Sequence, residues 1–125
     1  MKKHYCSIVL LILLFVSCAR KECQMNDVQE SYSLEQGKEI KFSLLSNSTT
    51  GYAWYWINKD NTHIQLNHQE YKICSGMGGG GGYEDFEFEG SASGKDSLVL
   101  EYKQSWIADS VNTDITRRVI QVEVK

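Results

Sequence analysis

Three separated segments of this sequence carry residue types suited to contacting another molecule. Residues 47–52 read as a polar turn whose two threonines present hydroxyl and methyl groups. Residues 76–82 contain six glycines, and such a bare backbone can lie close against another surface. The third segment, 104–106, ends in Trp106, an aromatic of the kind that dominates binding energy at interfaces. None of the three contains a catalytic group of the usual type, so the chemistry they indicate is recognition.

The remaining reactive side chains form no catalytic or metal-binding pattern. A threonine nucleophile would need an activating base or a free amino group. His63 and His68 are interpreted as surface or edge residues, because no carboxylate or thiol pattern accompanies them as zinc ligands. A cluster of acidic residues is interpreted as solvated strand positions: Glu84, Asp85, Glu87 and Glu89. The sequence therefore predicts a protein that is not an enzyme and has no metal or cofactor.

The glycine run leaves two interpretations open. A phosphate-binding loop would require a Lys-Ser or Lys-Thr pair after the glycines, and Tyr83 begins a strand-like segment instead. One interpretation is a plain flexible hairpin connection, and the other is a loop that lies against a partner.

The first 17 residues have the pattern of a bacterial secretory signal. Lys2 and Lys3 precede the apolar run 8–16, and Ser17 then stands before Cys18 as in a lipoprotein cleavage site. We expect a signal peptide over 1–17, a tether over 18–27 lipidated at Cys18, and one domain over 28–125. Ordinary secretion is the alternative. A lipid anchor would place the protein in the bacterial cell envelope, and without an aspartate after Cys18 we expect the outer membrane, on its periplasmic or surface face.

Charge and cysteine content limit the partners further. Without Lys2 and Lys3 the chain has 11 basic and 16 acidic residues, a net charge of −5, which argues against nucleic acid as a partner. Cys23 and Cys74 remain after the signal and the lipidated cysteine are set aside. In an oxidising compartment they form a disulfide or stay as two free thiols, and the sequence leaves both open. We expect a monomer.

Alternating hydrophobicity predicts short strands and no helix. Residues 39–45 place Ile40, Phe42 and Leu44 on one face, and 83–89 place Phe86 and Phe88 inward. Further strands are expected over 28–34, 53–57, 98–102 and 120–124, and apolar residues at 64–66 and 71–73 mark another region. Turns are expected at 36–38 and 93–96. Such a chain predicts an all-β fold, an antiparallel β-sandwich.

The order and spacing of the three segments resemble the chagasin family of cysteine-protease inhibitors over residues 28–125. The family's first motif is Asn-Pro-Thr-Thr-Gly-aromatic followed by a tryptophan, and residues 47–54 read NSTTGYAW, with Ser48 in place of proline. Its Gly-x-Gly-Gly motif is matched at 76–79, although three further glycines leave the register open. Its Arg-Pro-Trp motif becomes Gln104-Ser105-Trp106, in which the tryptophan is kept.

The resemblance implies an immunoglobulin-like sandwich whose three loops form a wedge at one end. That wedge would enter the active-site cleft of a papain-like cysteine protease, reversibly and without covalent chemistry. The alternative is a lipid-anchored immunoglobulin-like adhesion or ligand-binding module without inhibitory activity. The implied protease-binding residues are Asn47, Ser48, Thr49, Thr50, Gly51, Tyr52, Gly76, Met77, Gly78, Gly79, Gly80, Gln104, Ser105 and Trp106.

Overall fold

The computed structural model describes residues 23–60, 63–74 and 81–125. The predicted signal peptide and the lipidation site at Cys18 lie outside the described residues, so both stay predictions. Within the described part of the chain, no helix is long and apolar enough to cross a membrane.

In the described part of the chain, seven strands form two sheets packed face to face. They are β1 (Ser31–Leu34), β2 (Glu39–Ser46), β3 (Tyr52–Trp56), β4 (Ile64–Ile73), β5 (Gly82–Gly90), β6 (Gly94–Gln104) and β7 (Thr116–Val124). Sheet A has the order β1-β7-β6-β3, and sheet B has the order β2-β5-β4. All pairings are antiparallel except β1 with β7, which is parallel. The predicted all-β sandwich is confirmed.

The core lies between the sheets and follows the predicted alternation. Phe42, Phe86 and Phe88 of sheet B stack on one another with ring centroids 5.4–6.0 Å apart, and Trp56 of sheet A meets Phe88 edge to face. Sheet A contributes a second set of buried side chains: Trp54, Leu98, Leu100, Ile120, Val122 and Val124. Burying large apolar surface on both inner faces is what holds the two sheets together.

The predicted starts of three strands were wrong: β6 begins at Gly94 rather than at 98, and β7 begins at Thr116 rather than at 120. The first strand begins at Ser31 rather than at 28. The turn expected at 93–96 lies earlier, because β6 already begins at Gly94. The region marked by apolar residues at 64–66 and 71–73 is one strand, in which a bulge between Leu66 and His68 shifts the alternation.

The amino-terminal segment is fastened to the outside of sheet B. Cys23 and Cys74 form a disulfide with their Cα atoms 5.3 Å apart. Three residues later, Asn26 and Ser43 exchange two hydrogen bonds: the Ser43 N–H donates to the Asn26 carbonyl, and the Asn26 N–H donates to Ser43 Oγ. Ser43 is buried at the open edge of β2 for this reason. The described chain therefore begins beside the carboxyl end of β4.

Candidate functional site

One end of the sandwich collects three connections between strands. In sheet B, Ser46 at the end of β2 pairs with Gly82 at the start of β5, which pairs with Ile73 at the end of β4. In sheet A, Tyr52 at the start of β3 pairs with Gln104 at the end of β6. The connections 47–51, 74–81 and 105–115 therefore leave from the same end, which we call the loop end. We call them the first, second and third loops.

The first loop is a capped single turn of 3-10 helix, Ser48–Thr50. The Asn47 side-chain oxygen accepts hydrogen bonds from the Thr49 N–H (3.1 Å) and the Thr49 hydroxyl (2.6 Å). The Thr50 hydroxyl donates to the Asn47 carbonyl at 2.7 Å. Ser48, Thr49 and Thr50 are all exposed. The turn thus presents two threonines whose hydroxyl protons are already used internally, while their oxygens can still accept.

Gly51 ends the turn in the left-handed region, with φ of 77°. Its N–H donates to the Ser48 carbonyl at 3.0 Å, as a helix carboxyl-terminal cap does. The Trp106 indole lies directly over Gly51, since a Cβ at this position would overlap the ring. Glycine is therefore required at position 51 for two reasons, the backbone conformation and the close approach of Trp106.

The first loop is also fastened to the end of β6, from which the third loop leaves. Gln104 Nε2 donates to the Thr50 carbonyl at 2.9 Å. The Asn47 N–H donates to the Tyr102 hydroxyl at 2.8 Å, and the Tyr102 ring packs against Tyr52 with centroids 5.1 Å apart. Two of the three predicted segments are thus brought into direct contact by the fold.

The second loop is described at its base. The Cys74 N–H donates to the Gly81 carbonyl at 3.2 Å, and Gly82 packs against Tyr71. The predicted contact residues of this loop lie outside the described residues: Gly76, Met77, Gly78, Gly79 and Gly80.

Exposed apolar side chains surround the loop end. Trp106 is 67% exposed although it covers Gly51. Leu45 and Ile73, at the ends of β2 and β4, and Val111, within the third loop, are also exposed. The sequence interpretation did not assign these three to the site. For Leu45 the sequence held a signal. Neighbouring residues in a strand face opposite sides, so with Leu44 buried in the core, Leu45 must face outward.

An ion-pair network supports the third loop from the outer face of sheet A. The buried Glu101 carboxylate accepts from Arg117 at 2.6 Å and contacts Lys103 Nζ at 3.2 Å. Lys103 in turn reaches Asp109 in the third loop at 2.9 Å. The hydrogen bond from Arg117, together with Lys103, lowers the pKa of Glu101 against the opposing effect of burial.

This network predicts an acid-sensitive contribution to stability. Because the folded pKa of Glu101 is depressed below the ordinary glutamate value of about 4.3, its contribution is fully present above that value and is lost as pH falls through the folded pKa. We expect the stability difference between wild type and Glu101→Gln to be constant from pH 7 to about pH 5 and to shrink below about pH 4. Urea titrations of both proteins at each pH measure it. A difference that grows on acidification would contradict the assignment.

One predicted solvated acid was placed wrongly. Glu84 is 4% exposed and faces the interior, where its carboxylate accepts hydrogen bonds from Ser46, Trp54 and Gln69. Glu84 shares the parity of Phe86 and Phe88, so the alternation already placed it on the inward face. Asp85 is also largely covered, with a side chain 13% exposed and paired to Lys72 at 2.7 Å. Glu87 and Glu89 are partly exposed.

His63 and His68 both lie outside the three loops. His63, the residue before β4, packs under Gly94, the first residue of β6. His68 lies on the edge strand β4, with its Nε2 3.4 Å from Glu70 Oε2. Among residues 23–60, 63–74 and 81–125, no three His, Cys, Asp or Glu side chains are grouped so as to hold a metal ion.

Comparison with known proteins assigns the family. The model of the chagasin family of peptidase inhibitors (I42) matches residues 33–120, more than half of the chain. The chain belongs to the chagasin family. The matched region contains all three loops.

Solved structures show the same fold. A cysteine protease inhibitor from Entamoeba histolytica, EhICP2, superposes with a TM-score of 0.60 at 21% identity, covering 77% of this chain and 89% of that one. Amebosin superposes with 0.59 at 24% identity (76% and 88% covered). PbICP-C, solved in complex with falcipain-2, gives 0.51 at 20% identity (83% and 92% covered). The immunoglobulin-like β-sandwich typical of chagasin-like proteins is confirmed. A search of curated protein sequences finds no match.

Proposed function

We propose that this protein is a reversible, non-covalent inhibitor of papain-like cysteine proteases, and that its loop end fills the active-site cleft. The observation that carries the proposal is the contact between the first and third loops, in which Trp106 covers Gly51 and Gln104 holds the Thr50 carbonyl. Membership of a peptidase-inhibitor family and a fold shared with a cysteine protease inhibitor support it. So does the fold shared with PbICP-C, which was solved bound to falcipain-2.

Inhibition would come from occlusion of the cleft. Thr49 and Thr50 are compact, exposed and held by Asn47, so they can approach a catalytic cysteine and histidine without losing much conformational freedom. The second loop would run along the cleft and bond through its backbone. Trp106 would pack on the opposite wall as an aromatic anchor. Both threonine hydroxyls donate to Asn47, a group that cannot act as a base, so binding is expected to remain reversible.

The departures from the family motifs are compensated inside this chain. Where the family has proline, Ser48 lies in a turn already capped by Asn47. Where the family has arginine, Gln104 uses its amide to fasten the first loop to the end of β6. This chain therefore has an internal hydrogen bond, from Gln104 to Thr50, where the family has a cation at the interface. We expect inhibition constants between micromolar and nanomolar and weaker attraction to acidic groups beside the cleft.

Titration of the soluble domain against papain and a mammalian cathepsin tests the proposal. We expect competitive inhibition of a fluorogenic substrate, and we expect Trp106→Ala to raise the inhibition constant at least 30-fold, because central aromatic anchors contribute about 2 kcal/mol or more. Val119→Ala is the control, since Val119 is an exposed apolar residue on the outer face of sheet A. It should leave inhibition unchanged.

Two results would count against this docking mode. Full potency of Trp106→Ala would remove Trp106 from the interface. No inhibition by wild type at micromolar concentration would favour the adhesion or ligand-binding module instead.

We also propose that the protein is anchored in the bacterial cell envelope through a lipid on Cys18. The support is the pattern of Lys2, Lys3, the apolar run 8–16 and Ser17 before Cys18. A multiply acylated cysteine is a stable anchor, since each buried methylene contributes about 0.8 kcal/mol.

A further inference from the structure

A carboxylate is buried at the root of the first loop, where the proposed function has no use for a charge. Glu84 on β5 is 4% exposed. The hydrogen bonds described for its side chain come from two side chains and one backbone N–H, and no cation is among these donors. A buried carboxylate is costly unless donors surround it, so its position requires these partners to be in place.

Those partners are the two stems of the first loop. Ser46, the residue before Asn47, donates its hydroxyl to Glu84 Oε1 at 2.8 Å. The Trp54 N–H, two residues after the loop re-enters as β3, donates to the same oxygen at 3.0 Å. One carboxylate oxygen thus holds the entry strand, in sheet B, and the exit strand, in sheet A, at a fixed separation.

Gln69 completes the arrangement from the edge strand β4. Its Nε2 donates to Glu84 Oε2 at 2.7 Å and to the Trp54 carbonyl at 3.0 Å. In sheet A as described, β3 is an edge strand and pairs on one side only, with β6. Glu84 and Gln69 therefore satisfy the N–H and the C=O of Trp54 as a neighbouring strand would. The Trp54 indole N–H also joins β3 to β2, since it donates a hydrogen bond to the Leu45 carbonyl at 2.9 Å.

We propose that Glu84 is the positioning residue of the first loop: it sets the spacing of the two loop stems and so holds Thr49 and Thr50 in the conformation that docks. The role in docking rests on the proposed inhibitory function. Glu84 touches no partner itself and acts through Ser46 and Trp54. Its role requires a carboxylate, because two acceptor oxygens are needed and an amide has one.

Glu84→Gln is the decisive variant. Whichever way the new amide turns, its nitrogen meets an N–H donor, so a hydrogen bond to Gln69 or to the Trp54 backbone is lost, while the Ser46 hydroxyl can reverse its role and accept. We expect the inhibition constant to rise about tenfold. Amide hydrogen exchange at Thr50, Gly51 and Trp54 should accelerate as well, because their N–H groups lie in the turn and at its stem. Ser46→Ala, which removes one donor and keeps the carboxylate, should give a smaller change in the same direction.

Val122→Ala is the matched control. Val122 is buried in the core on β7, and its truncation lowers global stability without touching either loop stem. At equal loss of melting temperature, it should leave both the inhibition constant and loop exchange near wild type. If it raises them as much as Glu84→Gln does, the effect is general destabilisation and the proposal is overturned.

The two readouts separate this proposal from the inhibitory function. If wild type inhibits and Glu84→Gln inhibits equally well with unchanged loop exchange, the positioning role is wrong. If wild type fails to inhibit, the proposed function fails while exchange still decides whether Glu84 orders the loop. Should Glu84→Gln not fold, unchanged exchange and inhibition in Ser46→Ala would overturn the positioning role.

Discussion

Replacing Gly51 with alanine is expected to abolish most of the inhibitory activity, raising the inhibition constant at least 30-fold. The substitution forces a side chain into the left-handed region at φ of 77°, which costs about 1–2 kcal/mol. It also places a Cβ inside the Trp106 ring, so Trp106 must leave its position over the turn. Titration against papain measures the loss, and thermal denaturation separates it from the cost in stability.

Gly37→Ala supplies a closely matched control for Gly51→Ala. Gly37 has φ of 82°, and a Cβ there would meet no atom within 4 Å. Gly37 lies in the β1–β2 turn, outside the three loops. Gly37→Ala should lower the stability of the fold about as much as Gly51→Ala does and leave the inhibition constant unchanged. A double variant with Trp106→Ala tests the route: because both changes act through one contact, the double variant should be little worse than Trp106→Ala alone. Additive losses would show that Gly51 acts independently of Trp106.

Removing the disulfide between Cys23 and Cys74 is expected to have the largest effect on stability. The bridge joins residues 51 positions apart, and a cross-link of that length constrains the unfolded chain by about 4 kcal/mol in the chain-entropy model. The Cys23→Ser/Cys74→Ser variant should therefore melt roughly 15 °C or more below wild type. Thermal scans with and without dithiothreitol measure the effect.

Reductant provides the control for the disulfide prediction. Wild type in dithiothreitol should approach the melting temperature of the double serine variant, which itself should not respond to reductant. A wild-type protein that melts unchanged with both thiols reduced would contradict a stabilising role. Because Cys74 lies at the base of the second loop, we also expect the reduced protein to inhibit less well.

The strands of the sandwich were largely predictable because their signal is local. Ile40, Phe42 and Leu44 alternate with residues of the other face, and the structure buries all three. The family motif in residues 47–54 indicated the first loop for the same reason, since turn chemistry depends on neighbouring residues.

The features that the sequence did not predict depend on residues that are distant along the chain. The bulge near Asn67 interrupts the alternation of β4, so the sequence marked a region there without giving the bounds of a strand. The parallel pairing of β1 with β7 joins the first and last strands, and periodicity carries no information about which strands become neighbours. Glu84 was interpreted as solvated because carboxylates are rarely buried, although the alternation of β5 put it on the inward face. The donors that stabilise it there come from β2, β3 and β4.

The sequence by itself thus determined the class of fold, the inward faces of most strands and the residue types offered by the loops. Tertiary structure alone decided that Trp106 covers Gly51, that Gln104 holds Thr50, and that a carboxylate binds both stems of the first loop. The physical reason is that alternation and turn propensity act over a few residues. A buried carboxylate, in contrast, is stable only where donors from β2, β3 and β4 converge, and that convergence exists only once the two sheets have packed.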